Sequence, residues 1–337
     1  MSATIEIRNL TRRFGPFTAV DDISFSVRDG EVLGFLGPNG AGKSTTMKMI
    51  TGFLPPTGGS VSVCGHDVQS RPREAKRVIG YLPEGAPAYP DMTPVGFLKF
   101  IAGIRGYSGA EADGRVQRAA QRAGLAGVMH QRIETLSKGF KRRVGIAQAI
   151  LHDPPVLIMD EPTDGLDPNQ KHEVRALIRQ MAHDKVIILS THILEEVHAV
   201  CTRAIVIAAG RLLVDGTPAE LEARSPRHNA VLLTLPAAAG ARAKDELTTL
   251  PGVARVETLP APEGSLRLRV LPASGRVIAD VVARHARERG WALDELTVER
   301  GSLDDVFRQI TGGAAAGGRG ADTMVAPGAV GVAGGAR

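Results

Sequence analysis

Gly37-Pro38-Asn39-Gly40-Ala41-Gly42-Lys43-Ser44 decides how this chain folds. It fits the pattern G-x-x-x-x-G-K-[ST], and it stands between the apolar run Glu31 to Leu36 and the helical stretch Thr45 to Thr51. A strand before and a helix after are the context this pattern needs to be more than a chance glycine-rich turn. The glycines let backbone N–H groups turn inward around phosphate oxygens, and the opening helix adds the positive end of its dipole. Lys43 then reaches the β- and γ-phosphates, and the Ser44 hydroxyl ligates Mg²⁺. The candidate nucleotide-binding residues are therefore Gly37, Pro38, Asn39, Gly40, Ala41, Gly42, Lys43, Ser44 and Thr45.

Working outward, Val156 to Met159, Val186 to Leu189 and Ala204 to Ile207 are unbroken apolar runs separated by helical stretches. Strands covered on both faces read this way, so a parallel sheet is expected. Thr4 to Ile7, Ile23 to Val27 and Ser60 to Val63 alternate with period two and read as antiparallel strands. From Thr93 to about His152 the pattern is helical, interrupted by Gly103, Gly106, Gly109 and Gly114, which reads as an inserted helical lobe. The fold class is thus α/β: a P-loop core with a parallel sheet, an antiparallel β lobe and a helical lobe, over residues 1–224.

Composition changes near Ser225-Pro226-Arg227. Beyond it, strand-like and helix-like segments follow in the order β-α-β-β-α-β, which predicts a ferredoxin-like α+β domain over 225–311. A short amphipathic helix from Leu303 to Ile310 closes it. Residues 312–337 are mostly Gly and Ala, too small to bury the surface that would offset ordering entropy, and a disordered tail is expected.

The 337 residues carry a formal charge of +5, too mild to imply nucleic acid or anionic lipid. Aromatic residues make up 4%, which argues against a stacking platform for single strands. Cys64 and Cys201, far apart, exclude a cysteine zinc site and read as packing residues in a reducing compartment. No run approaches the roughly 18 apolar residues of a spanning helix, and the N-terminus lacks a signal pattern, so a cytoplasmic location is expected. The basic run Lys138, Lys141, Arg142, Arg143 has no interleaved aromatics and reads as a solvated and interfacial helix face.

Asp160 and Glu161 end the apolar run from Val156, where α/β sheets place ligands. Alternation separates them: Asp160 faces Mg²⁺, and Glu161 points to the γ-phosphate, where it can polarise the attacking water.

With these segments in order, the chain resembles an ATP-binding subunit of an ATP-binding-cassette (ABC) transporter over roughly residues 4 to 220. Leu136-Ser137-Lys138-Gly139-Phe140 resembles the family's signature segment, Asp164-Gly165-Leu166-Asp167 the loop at the dimer interface, and Ser190-Thr191-His192 the switch-histidine segment. The resemblance implies that His192 holds the water and Glu161 at the γ-phosphate. It implies that Ser137 and Gly139 serve the ATP of a second copy, so that a homodimer encloses two ATP. Phe14 falls where the family stacks an aromatic on adenine, and Glu84 where most members have a Gln linked to Mg²⁺. Lys138 and Phe140 replace the usual Gly and Gln of the signature. These departures, with the C-terminal extension, resemble an exporter branch with a separate transmembrane permease, including gliding-motility and copper-enzyme-maturation types. The implied place is the inner face of the cell membrane. A soluble ABC ATPase acting on ribosomes or DNA is the alternative, disfavoured by a single cassette and the lack of heptad arms. A catalytically silent cassette is disfavoured by intact Lys43, Asp160, Glu161 and His192.

Overall fold

The computed structural model describes residues 4–273 and 276–316. Its centre is a six-stranded sheet in the order Arg211–Gly216, Arg203–Ala208, Val32–Leu36, Val186–Thr191, Val156–Asp160, Ile79–Leu82. Neighbours are parallel except for the antiparallel pairing of Arg211–Gly216 with Arg203–Ala208. The apolar runs alternate as strands must: Val156, Ile158, Val186 and Ile188 enter one core, while Leu157, Met159, Ile187 and Leu189 enter another. Both faces are covered, which is why these runs carry no polar residue.

The first core lies against an antiparallel sheet of Phe17–Val27, Ile5–Phe14, Gly58–Val63 and His66–Asp67, with Met47 and Met49 of helix Lys43–Ile50 fully buried between the layers. The second core joins the central sheet to the helical lobe, built from Pro94–Ile104, Gly109–Arg122 and Lys138–Ile150. Thr93 caps the first of these, its hydroxyl accepting from Gly96 N, and Ser137 caps the last by accepting from Phe140 N.

Register aligns the strand ends. Leu36 pairs with Thr191, Ser190 with Asp160, and Met159 with Leu82. The chain leaves these adjacent strands into Gly37, Glu161, His192 and Glu84, so four distant segments meet at one sheet edge.

After Ser225 the strands Val231–Pro236, Val253–Leu259, Ser265–Pro272 and Glu295–Val298 form an antiparallel sheet. The second and third strands in sequence lie together, then the first, then the fourth. Leu247 of helix Gly240–Thr248 and Val282 of helix Ala279–Glu288 fill the core against Val231, Leu233, Leu268 and Val270. Alternation turns Arg267 and Arg269 to the other face, where Arg269 pairs with Glu257 and Glu299. Helix Leu303–Ala316 then returns to the cassette. Leu303 packs with Leu36, Val197, Val206 and Leu221, and Phe307 and Ile310 cover the same cluster.

Two expectations need correction. The closing helix does not stop at Ile310 but continues through Gly312 to Ala316, where alanines favour helix; the rest of the expected tail, 317–337, lies outside the described residues. Arg142 is not on a solvated face: it is 6% exposed. It shares a helix face with Gly139 and Gly145, and that face is pressed into the body of the protein.

Candidate functional site

The loop after strand Val32–Leu36 is shaped by its glycines in two ways. A Cβ on Gly37 would lie 2.4 Å from the Ile207 carbonyl oxygen, and one on Gly42 would lie 2.6 Å from that of Ala19. Gly40, by contrast, has open space around it and a φ of 78°, so its requirement is conformational. Pro38, Asn39 and Gly40 form an exposed crest, Ala41 and Gly42 are buried beneath it, and Ser44 and Thr45 are half-buried on the first helical turn. Gly210 N donates to Ala41 O at 3.0 Å and anchors the loop to the neighbouring strand connection. Lys43 is 6% exposed, and its Nζ donates to the carbonyls of Gly37 at 2.7 Å and Pro38 at 3.2 Å.

Asp160 is 1% exposed; its Oδ1 accepts from Ser44 Oγ at 3.2 Å and also from Ser190 Oγ. The sequence-predicted metal pair, hydroxyl and carboxylate, is therefore assembled. These hard oxygen donors fit Mg²⁺, which keeps several waters and needs few protein ligands. Among the described residues no cluster of three or more His, Cys, Asp or Glu is placed to hold a metal ion. Glu84 is exposed, and no contact joins it directly to Ser44 or Asp160 among the described residues; its charge nonetheless bears on Tyr81 and Arg142.

Glu161 has a φ of 50°, sparse territory for a side chain with a Cβ. Its N–H donates to Ser190, to the carbonyl at 3.2 Å and to Oγ at 3.0 Å, which holds that turn. The turn aims the carboxylate back across the sheet edge: Oε2 lies 2.9 Å from His192 Nδ1, and Oε1 lies 3.8 Å from Lys43 Nζ. Burial raises the Glu161 pKa above its ordinary value, Asp160 adds to this, and His192 and Lys43 oppose it. A buried carboxylate with a raised pKa, hydrogen-bonded to an imidazole, is suited to accept a proton from water.

The switch segment is braced from behind by a residue that the sequence reading passed over. Glu196, 2% exposed, accepts from Thr191 Oγ1 at 2.7 Å, and Thr191 Oγ1 in turn accepts from Ile193 N at 3.0 Å. A carboxylate one turn into the helix after a Ser-Thr-His strand end was the available signal.

Phe14 lies at the hairpin end of strand Ile5–Phe14, 45% exposed, with the Arg12 guanidinium 4.6 Å from its ring centroid. Its hairpin leads to Ala19, whose carbonyl backs Gly42. Ser137 and Gly139 are not part of this constellation. Ser137 is exposed at the start of helix Lys138–Ile150, and Gly139 packs on Gln170, where a Cβ would lie 2.5 Å from Oε1.

Fold and site together define an ATP-binding cassette of the P-loop ATPase class. The ABC transporter family model matches residues 20–164. The linearmycin resistance ATP-binding protein LnrL of Bacillus subtilis is 32% identical over 309 residues, covering 91% of this chain and 98% of that protein. The Nod factor export ATP-binding protein I of Burkholderia lata is 40% identical, covering 64% and 71%. The probable multidrug ABC transporter ATP-binding protein YbhF of Escherichia coli is 36% identical over 66% of this chain, which spans only 38% of that protein's length. Among solved structures, an ATP-binding subunit of an ABC transporter superposes with a TM-score of 0.60 at 31% identity, covering 65% of this chain and 92% of that one. A dimeric ATP-binding cassette bound to ADP and Pi in a post-hydrolysis state has a TM-score of 0.59 at 22% identity, covering 64% and 98%, and supports the fold. This chain belongs to the ATP-binding subunits of ABC transporters.

Proposed function

We propose that this chain is the ATP-hydrolysing subunit of an ABC exporter, that two copies close head to tail around two ATP, and that closure drives a separate membrane permease. The observation that carries the reading is the Glu161 carboxylate held between His192 and Lys43 at the mouth of the phosphate loop. The export reading is supported by the Nod factor and linearmycin relatives, whose names concern export and resistance.

In this reading Lys43 exchanges its loop carbonyls for β- and γ-phosphate oxygens, and the N–H groups of the loop and first helical turn take the rest of the charge. Ser44 and Asp160 would hold Mg²⁺, with Glu84 as a further oxygen ligand, and the ion supplies charge neutralisation between the phosphates. Glu161 accepts the proton of the attacking water, and His192 orients that carboxylate while its other nitrogen faces the γ-phosphate. Phe14 stacks on the base. Ser137 and the N–H of Gly139, at the exposed start of helix Lys138–Ile150, serve the phosphate bound to the second copy.

No helix among the described residues is long and apolar enough to cross a membrane. A groove of about 820 Å³ between the central sheet and the helical lobe supports a permease partner. Phe53, Tyr89, Phe100 and Ile104 are exposed along it, with Lys76 and Arg105 at its rim. It suits a helix with an apolar face and acidic ends, presented by a permease at the inner surface of the cell membrane. The domain after Ser225 stabilises or regulates the dimer, an idea that unchanged dimer yield and ATPase rate on its deletion would sink.

The test of the loop is Lys43→Ala. ATP affinity, measured by titration calorimetry, should fall at least about tenfold, as expected for losing charge-assisted phosphate bonds. Unchanged affinity would remove the loop from ATP binding.

A further inference from the structure

Helix Lys138–Ile150 presents one tightly packed face to the protein. A Cβ on Gly145 would lie 2.6 Å from Leu82 Cδ1 and 2.8 Å from Ala86 Cβ, so the helix presses directly on the segment that contains Glu84. Gly139, nearly two turns earlier on the helix, presses on Gln170, just beyond the Asp164-to-Asp167 loop. Arg142 lies midway between these glycines, one turn from each, on the same face. It is 6% exposed, and its Nη1 is buried without a hydrogen-bond partner.

Four carboxylates act on this guanidinium, and none of them forms a close ion pair with it. Burial pulls its pKa down, and Asp164, Glu161, Glu84 and Asp160 oppose that, in this order of effect. Lys43 faces the same carboxylates from the phosphate loop, but its ammonium is bonded to Gly37 and Pro38 carbonyls. His192 faces them from the strand end. From the signature helix Lys138 lies over Gly165 of the Asp164-to-Asp167 loop, where a Cβ would be 2.8 Å from its Nζ, and Arg142 is the buried cation that meets the group. A buried charge without close partners is unfavourable unless surrounding opposite charge compensates it.

We propose that Arg142 is a positioning residue for ATP hydrolysis: its guanidinium holds the Glu84 segment and the Asp164 loop in register with Asp160 and Glu161, tying the signature helix to its own chain's phosphate site. This rests on the function proposed above. Ser137 and Gly139 stand one turn from Arg142 on that helix, so the groups offered to the second copy's ATP are tied to the charge at this copy's own site. Glu84 matters here because a neutral amide in its place would give Arg142 one carboxylate fewer to hold.

Four chains test this: wild type, Arg142→Met, Glu84→Gln and the double variant, with Arg142→Lys as the charge-retaining control. Turnover and ATP affinity are measured separately. Arg142→Met should lower kcat about tenfold or more through misplacement of the carboxylates, with the ATP Kd within about threefold of wild type. In the Glu84→Gln background the further loss should be at least about fivefold smaller, because the charge of Glu84 acts on Arg142 and groups of one charged cluster couple. Arg142→Lys should recover part of the activity. A loss of equal size in both backgrounds, no recovery with Lys, or an unaffected Arg142→Met would each overturn the proposal. Melting temperatures of the nucleotide-free chains give a second reading of the same cycle. A drop for Arg142→Met that shrinks by a few degrees with Glu84→Gln supports the coupling even if wild type hydrolyses no ATP, and an additive drop contradicts it.

Discussion

Glu161→Gln separates the chemistry of this site from its architecture. The side chain is 11% exposed, with one oxygen 2.9 Å from His192 and the other 3.8 Å from Lys43. Gln keeps the volume and one oxygen acceptor, so the turn at φ 50° and the contact with His192 survive. What disappears is the ability to take a proton. A positioned base contributes roughly 10²–10⁴ in rate, which corresponds to roughly 3–5 kcal/mol of barrier at about 1.4 kcal/mol per factor of ten. The upper part of that range is favoured because burial raises the Glu161 pKa toward the working pH. ATP binding moves the other way: removing a carboxylate from beside the γ-phosphate relieves repulsion, and the affinity should hold or improve. Single-turnover hydrolysis of labelled ATP alongside equilibrium binding reads both. Turnover within about threefold of wild type would refute the base role, since even the low end of the range is near a hundredfold.

Two further predictions concern the supports of the site. Burial raises the Glu196 pKa above its ordinary 4.5, with Thr191, Arg175 and Lys171 opposing and Glu161 adding. Its contribution to stability is therefore fully present below pH 4.5 and is lost as the pH rises through the folded value. Glu196→Gln, neutral throughout, should gain stability relative to wild type as the pH rises, and a difference in melting temperature that stays constant between pH 4 and pH 8 would contradict this. Leu303→Ala removes a 5% exposed side chain from the cluster with Val197 and Leu36, and should cost roughly 2–4 kcal/mol in urea unfolding. Val197 belongs to the helix that follows His192, so the ATPase rate should fall along with stability; a stable, fully active variant would uncouple the closing helix from the switch segment.

Much of this was legible before any coordinates. The glycines of the phosphate loop announce themselves because two fill sites where a Cβ meets a carbonyl and the third needs a positive φ. The apolar runs ending in Asp160 and Thr191 reveal parallel strands, and the residues that follow their ends must converge. Arg142 was not legible in that way. A run of Lys and Arg looks solvated unless the helical phase is taken from the flanking glycines, and Gly139 and Gly145 turn the face of Arg142 inward. Glu196 was missed because its value lies in a contact with Thr191, a backward reach within one connection that no motif spacing records. The returning helix Leu303–Ala316 shows amphipathic patterning in sequence, but its partner surface, more than a hundred residues upstream at Leu36 and Val197, is a tertiary fact.

The central claim is that each ATP site is completed by Ser137 and Gly139 of a second copy. It is tested most directly by light scattering on Glu161→Gln chains with saturating ATP and Mg²⁺. The account predicts an ATP-dependent species of twice the 35.6 kDa chain mass, lost when Ser137 is replaced by Arg. A particle of 35.6 kDa carrying bound ATP would contradict it.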